Sequence, residues 1–116
     1  MSNFLYLFRG GDDAFDKLSQ EEKQAHMQVW GEWMGGLQEQ GKLIDGLPLD
    51  KDGKVVHNRG EVITNGPYAE GAEMVGGYLI VKAKNLEEAV EISKGCPIFD
   101  YEGSFVEVRE ILTMEP

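Results

Sequence analysis

Two short unbroken apolar runs constrain this chain more than any other feature: residues 4–8 (Phe4-Leu5-Tyr6-Leu7-Phe8) and 78–81 (Tyr78-Leu79-Ile80-Val81). Neither alternates apolar with polar, and both are too short for a helix that packs by one stripe. They read as strands whose two faces are both dry. Gly10-Gly11-Asp12-Asp13 stops the first run, and Gly76-Gly77 precedes the second. A chain of 116 residues has the length of one domain, here residues 1–116, and can bury a real core. That core must have two sides, so whatever covers one face of the strands leaves the other still needing cover.

The covering elements are legible between the runs. Ser19-Gln20-Glu21-Glu22 is a capping box, in which serine and glutamate satisfy each other's amides at a helix start. A helix is expected over residues 20–40, with Gly41 as its left-handed stop. Gly31, Gly35 and Gly36 lie inside it, each costing up to about 1 kcal/mol against alanine; that cost points to something packed closely on the helix. Residues 42–49 read as a strand interrupted at Gly46, with Pro48 at an edge, a bulge or the strand end because it lacks a ladder donor. Asp50-Lys51-Asp52-Gly53 is turn chemistry, with Asp52-Gly53 a hairpin dipeptide. Two short strand pieces, 54–57 and 61–64, flank Asn58-Arg59-Gly60. After an acidic, glycine-containing connector and the strand at 76–83, Asn85 caps a second helix over residues 86–94. Gly95-Cys96-Pro97 ends that helix, and residues 104–111 alternate as a last, half-exposed strand.

The order is β, α, β, a small β insertion, β, α, β. This is the α+β, ferredoxin-like βαββαβ order with a β-hairpin insertion: one antiparallel sheet with two helices on one face. The bare face then needs a partner. In so short a chain the simplest cover is a second copy, giving a homodimer packed sheet against sheet about a two-fold axis. The other solution is that the segment between Pro48 and Val75 folds over the sheet.

Charge narrows the partners. With 11 Lys and Arg against 21 Asp and Glu, the formal net charge is −10. Nucleic-acid binding draws its affinity from basic side chains that neutralise phosphates, and an anionic membrane surface repels such a chain; neither is an expected partner. The N-terminal segment has no basic region followed by a long apolar one, and no stretch nears the roughly 18 apolar residues of a membrane-spanning helix. Cys96 is the single cysteine, so neither an intrachain disulfide nor a thiolate zinc cluster can form. A cytoplasmic location is expected.

Few side chains carry chemical promise. On a wheel of 3.6 residues per turn, His26, Val29, Trp30, Trp33 and Leu37 share one apolar arc. An imidazole there faces the sheet or a pocket rimmed by indoles. It needs a hydrogen-bond partner, and it can act as a base or an acid because its reference pKa is near neutral. The commoner outcome for such a residue is a core histidine tied to a carboxylate or carbonyl. His57, beside Asn58 and Arg59, reads as a surface residue. Two histidines without metal-ligand spacing make no metal motif, and no phosphate-binding loop, dinucleotide fingerprint or nucleophile elbow specifies a cofactor. Asn65-Gly66-Pro67-Tyr68 is a tightly constrained loop, either an ordinary turn or a device for placing polar groups. Glu70 and Glu73 in the connector are either a base or solubilising charge. Cys96 lies at the negative end of a helix, which does not activate a thiol.

Asn65-Gly66-Pro67-Tyr68-Ala69-Glu70, followed by Gly76-Gly77-Tyr78-Leu79-Ile80, resembles the D-G-P-F-A-E…G-G-Y pattern of the DGPF proteins of the YCII-related family. The likeness extends to Tyr6-Leu7, to Leu18-Ser19 with Glu21-Glu22 and His26 behind them, and to Val106-Glu107-Val108-Arg109. It spans nearly the whole chain. The resemblance implies a dimeric α/β barrel of two ferredoxin-like subunits, and a cleft holding a histidine and an aspartate. The helix histidine of the family falls on His26 and the first motif position on Asn65. This chain departs from the pattern there, with Asn65 in place of aspartate and Tyr68 in place of phenylalanine. An asparagine cannot serve as a carboxylate base, but it can orient a ligand or an imidazole. Asp45, on the second strand, is a substitute partner for His26.

Two functions follow as expectations. One is a small-molecule-binding domain, with or without enzymatic activity, whose cleft lies between the long helix and the sheet. His26 would be its acid or base, Asp45, Asn65 and Tyr68 its polar orienters, and Trp30 and Trp33 its apolar wall. The other is a non-catalytic regulatory module that serves transcription control through protein contacts. A cleft where His26 meets Asn65 favours the first. A filled, dry site favours the second.

Overall fold

The computed structural model describes residues 1–67 and 73–114, without the side chains of Asp12 and Asp13. The first apolar run becomes β1 (Ser2–Arg9), followed by α1 (Asp12–Asp16) and α2 (Gln20–Glu39). Next come β2 (Leu43–Pro48), β3 (Gly53–His57) and β4 (Val62–Gly66). The chain closes with β5 (Val75–Ala83), α3 (Leu86–Ser93) and β6 (Phe105–Glu110). Four strands form one antiparallel sheet in the order β2-β5-β1-β6. That is the ferredoxin-like arrangement, with α2 and α3 on one face.

Strand alternation decides which residues meet the helices. Phe4, Tyr6 and Phe8 of β1 and Leu79, Val81 and Ala83 of β5 point to the helical side and are buried. Leu37 from α2, Ala89 from α3, and Cys96 and Ile98 beyond it complete this core. Val106 and Val108 of β6 pack on the same side, which settles the register of the last strand. Inside the core the Tyr6 hydroxyl donates to the Ala89 carbonyl of α3, pinning that helix to the central strand.

Both helix starts form as their sequences require. The Glu22 amide donates to Ser19 Oγ at 3.1 Å, and the Ser19 amide donates to the Glu22 carboxylate at 3.0 Å. At α3 the Glu88 amide donates to Asn85 Oδ1 at 2.9 Å. Gly41, with φ 71°, ends α2 in the left-handed conformation.

Several expectations are corrected. A Cβ at Gly31, Gly35 or Gly36 would meet nothing within 4 Å, so none of the described residues packs closely on the glycines of α2. The Asp52-Gly53 turn does not fold β3 back on β2. Instead β2 pairs with β5, and β3 pairs with β4 through the 3-10 turn Asn58–Gly60. Residues 65 and 66, read as loop, belong to β4. Residues 12–16, which begin in the stretch expected only to stop the first apolar run, form α1. Val29 is 45% exposed, and Met34 rather than Val29 packs on the core.

The hairpin of β3 and β4 stands off the sheet as an arm. It pairs within itself and with its own turn, and Val56 and Ile63, directly opposite each other, are 60% and 57% exposed. The described chain is flat, 50 × 45 × 20 Å. The described part of the insertion therefore pairs with itself rather than covering the other face of the sheet, where Leu5, Leu7, Tyr78 and Ile80 are only half-buried.

Candidate functional site

His26 stands one turn before Trp30 on α2. The Trp30 indole Nε1–H donates to His26 Nε2 at 2.7 Å. The imidazole is packed among rings: Tyr101 at 4.7 Å, Phe15 at 6.0 Å and Trp30 at 6.2 Å between centroids. Trp30 in turn meets Phe8 edge to face at 5.1 Å, which ties the site to the core strand. The α2 helix thus places histidine and indole on one face by their i, i+4 spacing, and β1 fixes the indole from below. Burial pushes the His26 pKa below the ordinary histidine value, against the pull of the nearby Asp100 carboxylate.

These rings border a cavity of about 590 Å³. Its walls are Phe8, Phe15, His26, Met27, Trp30, Met34 and Tyr101, and Gly10, Gly11, Gly46, Gly76 and Gly77 open its floor. Two of these glycines are sterically required. A Cβ at Gly46 would lie 2.9 Å from Leu79 Cα and 2.6 Å from the Tyr78 carbonyl oxygen. Gly11 has φ +85°, and a Cβ there would lie 3.0 Å from Ser104 Oγ and 3.2 Å from Tyr101. At the mouth, Lys51 of the loop after β2 pairs with Asp16 of α1. The size and apolar lining are those of a small-molecule site.

The candidates from the sequence are scattered differently. Trp30 lines the cavity with His26, whereas Trp33 meets Trp30 edge to face at 6.0 Å and lies against Gly95. Asp45 is exposed, and its carboxylate accepts from the Gly46 amide at 2.8 Å. Asn65 is exposed on the arm, where Oδ1 accepts from Lys54 Nζ at 2.8 Å. Neither meets His26; the group at its Nε2 is an indole. Tyr68 and Glu70 lie outside the described residues. Tyr101 and Phe15 were missed. Both follow glycine-rich or turn-rich stretches without helical or strand periodicity, so no pattern assigns them a face. Their aromatic character in connecting segments was the one signal that could have flagged them.

Other features do not converge on chemistry. His57 is exposed. Burial pushes the Cys96 thiol up to about 12, and Cys96 is buried in the core. Among the described residues no group of three or more His, Cys, Asp or Glu side chains is placed to hold a metal ion. Among them, too, no helix is long and apolar enough to cross a membrane. A shallower hollow of about 710 Å³ at the base of the arm is lined by Arg9, Lys54, Pro67 and Glu73. Its cations are engaged: Arg9 Nη2 binds Glu107 at 2.9 Å and Nη1 donates to the Glu73 carbonyl at 2.6 Å, while Lys54 holds Asn65.

The YCII-related domain family matches residues 11–115, which take in every residue around the cavity except Phe8 and Gly10. The chain belongs to that family. No curated protein matches it in sequence. Among solved structures it is similar to 5-chloro-2-hydroxyhydroquinone dehydrochlorinase (TftG) from Burkholderia phenoliruptrix, in complex with 2,5-dihydroxybenzoquinone. The two are 15% identical, the match covers 90% of each chain, and the TM-score is 0.50. That likeness establishes a shared ferredoxin-like fold. Membership of the YCII-related family accords with the capping box, the His26 helix and the Gly76-Gly77-Tyr78 strand seen here.

Proposed function

We propose that this YCII-related protein binds a flat, oxygen-bearing ring compound in the cavity beneath α2 and acts on it through His26. The observation that carries the reading is an open apolar cavity bounded by aromatic faces and edges, with one imidazole among them. Aromatic walls favour a planar ligand through stacked and edge-on contacts. The fold's occurrence in a dehydrochlorinase bound to 2,5-dihydroxybenzoquinone supports ring compounds as the first class to try. Calorimetric titration of the protein with 2,5-dihydroxybenzoquinone and related hydroxylated quinones tests the reading. Saturable binding that Leu49→Trp, at the cavity wall, weakens is expected. A flat titration across the series would sink it.

The working unit in this reading is a homodimer, cytoplasmic and closed sheet to sheet into a dimeric α/β barrel. The half-buried Leu5, Leu7, Tyr78 and Ile80 on the bare face support it, as does an arm that pairs with itself rather than covering that face. The regulatory alternative draws support only from the exposed Val56 and Ile63 of the arm. It requires a cavity that takes no small molecule, so the same titration separates the two.

A further inference from the structure

The Trp30–His26 contact has a consequence for what the imidazole can do. An indole N–H donates and never accepts, so Nε2 of His26, 2.7 Å away, must present its lone pair. A neutral imidazole has one ring proton, which then sits on Nδ1. The imidazolium would set two N–H groups against each other inside a cage of rings. We propose that His26 acts as a neutral hydrogen-bond donor, through Nδ1–H, to a carbonyl or enolate oxygen of the bound ring, with Trp30 as the positioning residue that locks this tautomer. The inference rests on the ligand-binding reading above and specifies which group of the ligand the site grips.

The surroundings agree. Among the described residues nothing accepts from Nδ1, and the buried polar atoms without a partner are Tyr101 Oη and Ser104 Oγ, not this nitrogen; Nδ1 is therefore open to solvent on a residue that lines the cavity. Of the charged groups nearby, Asp100 beside the Tyr101 ring favours imidazolium, while Asp16 is already neutralised by Lys51 at the mouth. A base would need a free lone pair facing the ligand. His26 instead turns its lone pair to the helix and leaves its proton open to solvent. Such a donor polarises a carbonyl and favours charge building on its oxygen, and it selects ring ligands with an acceptor over plain hydrocarbons.

The test begins on the free, full-length protein. Long-range proton–nitrogen NMR of the uniformly labelled chain, with the two histidines assigned through His57→Gln, should show His26 protonated at Nδ1 and bare at Nε2 at pH 7. Trp30→Phe removes the donor, so the Nε2-protonated tautomer should gain population. A wild-type ring protonated at Nε2, or an imidazolium at pH 7, overturns the inference. With 2,5-dihydroxybenzoquinone as the probe, His26→Asn keeps an N–H near the Nδ1 position and should bind within a few-fold of wild type. His26→Phe keeps the ring but not the donor and should weaken binding up to about tenfold, the loss of one neutral hydrogen bond. Equal loss in both variants overturns the donor role. A quinone that binds while the wild-type tautomer is Nε2–H sinks this inference alone; a quinone that binds nowhere sinks the ligand reading and the donor role with it.

Discussion

At the scale of the residue, burial decides how each polar group behaves. Tyr6 is fully buried with its hydroxyl on the Ala89 carbonyl, and burial raises its pKa well above that of a free tyrosine. Tyr6→Phe removes a buried hydrogen bond while keeping the ring, so it should cost about 1 kcal/mol in a urea titration. Cys96, with its thiol pushed up to about 12, stays protonated at neutral pH. It should react with a thiol reagent only after the protein unfolds. For His26 the folded pKa lies below the unfolded value of about 6.5, so the unfolded state binds more protons in that window. Stability should therefore be full above pH 6.5 and fall as pH drops through the lowered folded pKa. Denaturation at pH 7.5 and 5.5 checks this, and His26→Phe should flatten the difference.

At the scale of the element, α2 has a strong start and a weak middle. Its capping box satisfies the first amides, but Gly31, Gly35 and Gly36 give up helix propensity with no close contact from the described residues in return. Gly31→Ala should stabilise the protein by about 0.5–1 kcal/mol, read as a rise in melting temperature. The arm is the opposite case. Two strands alone are marginal in water, and Val56 and Ile63 are exposed on it. Their cross-strand pairing is the hairpin expected around Asn58-Arg59-Gly60, although Asp52-Gly53 carries the stronger hairpin signal. The β2 strand nonetheless pairs with β5, since that pairing extends a buried sheet whereas a β2–β3 hairpin would not.

At the scale of the whole molecule, the open question for the fold is its bare face. Sedimentation at micromolar concentration should give the mass of two chains, and Ile80→Glu, which puts a carboxylate in the middle of that face, should give one. Each chain has a net charge of −10, so two chains brought together repel. Raising the salt concentration should therefore tighten the dimer, because screening acts on that repulsion and leaves the apolar contact in place. A monomer in all conditions would remove the account of the apolar strands.

The sequence by itself determined the main elements and their order, α1 excepted. Capping residues, unbroken apolar runs and a left-handed glycine are local signals, read within a few residues of where they act. It also placed His26 on the inner arc of a helix, since the 3.6-residue period is local as well. The partner of that histidine was decided only by the tertiary structure. Asp45 and Asn65 were plausible from the order of strands, but the arm holds Asn65 to Lys54, and Asp45 turns to its own backbone. Phe15 and Tyr101 reach the imidazole from segments without periodicity, brought there by a sheet order that pairs β1 with β5 and β6. Contacts between distant segments depend on register and packing, and no short stretch of chain encodes either.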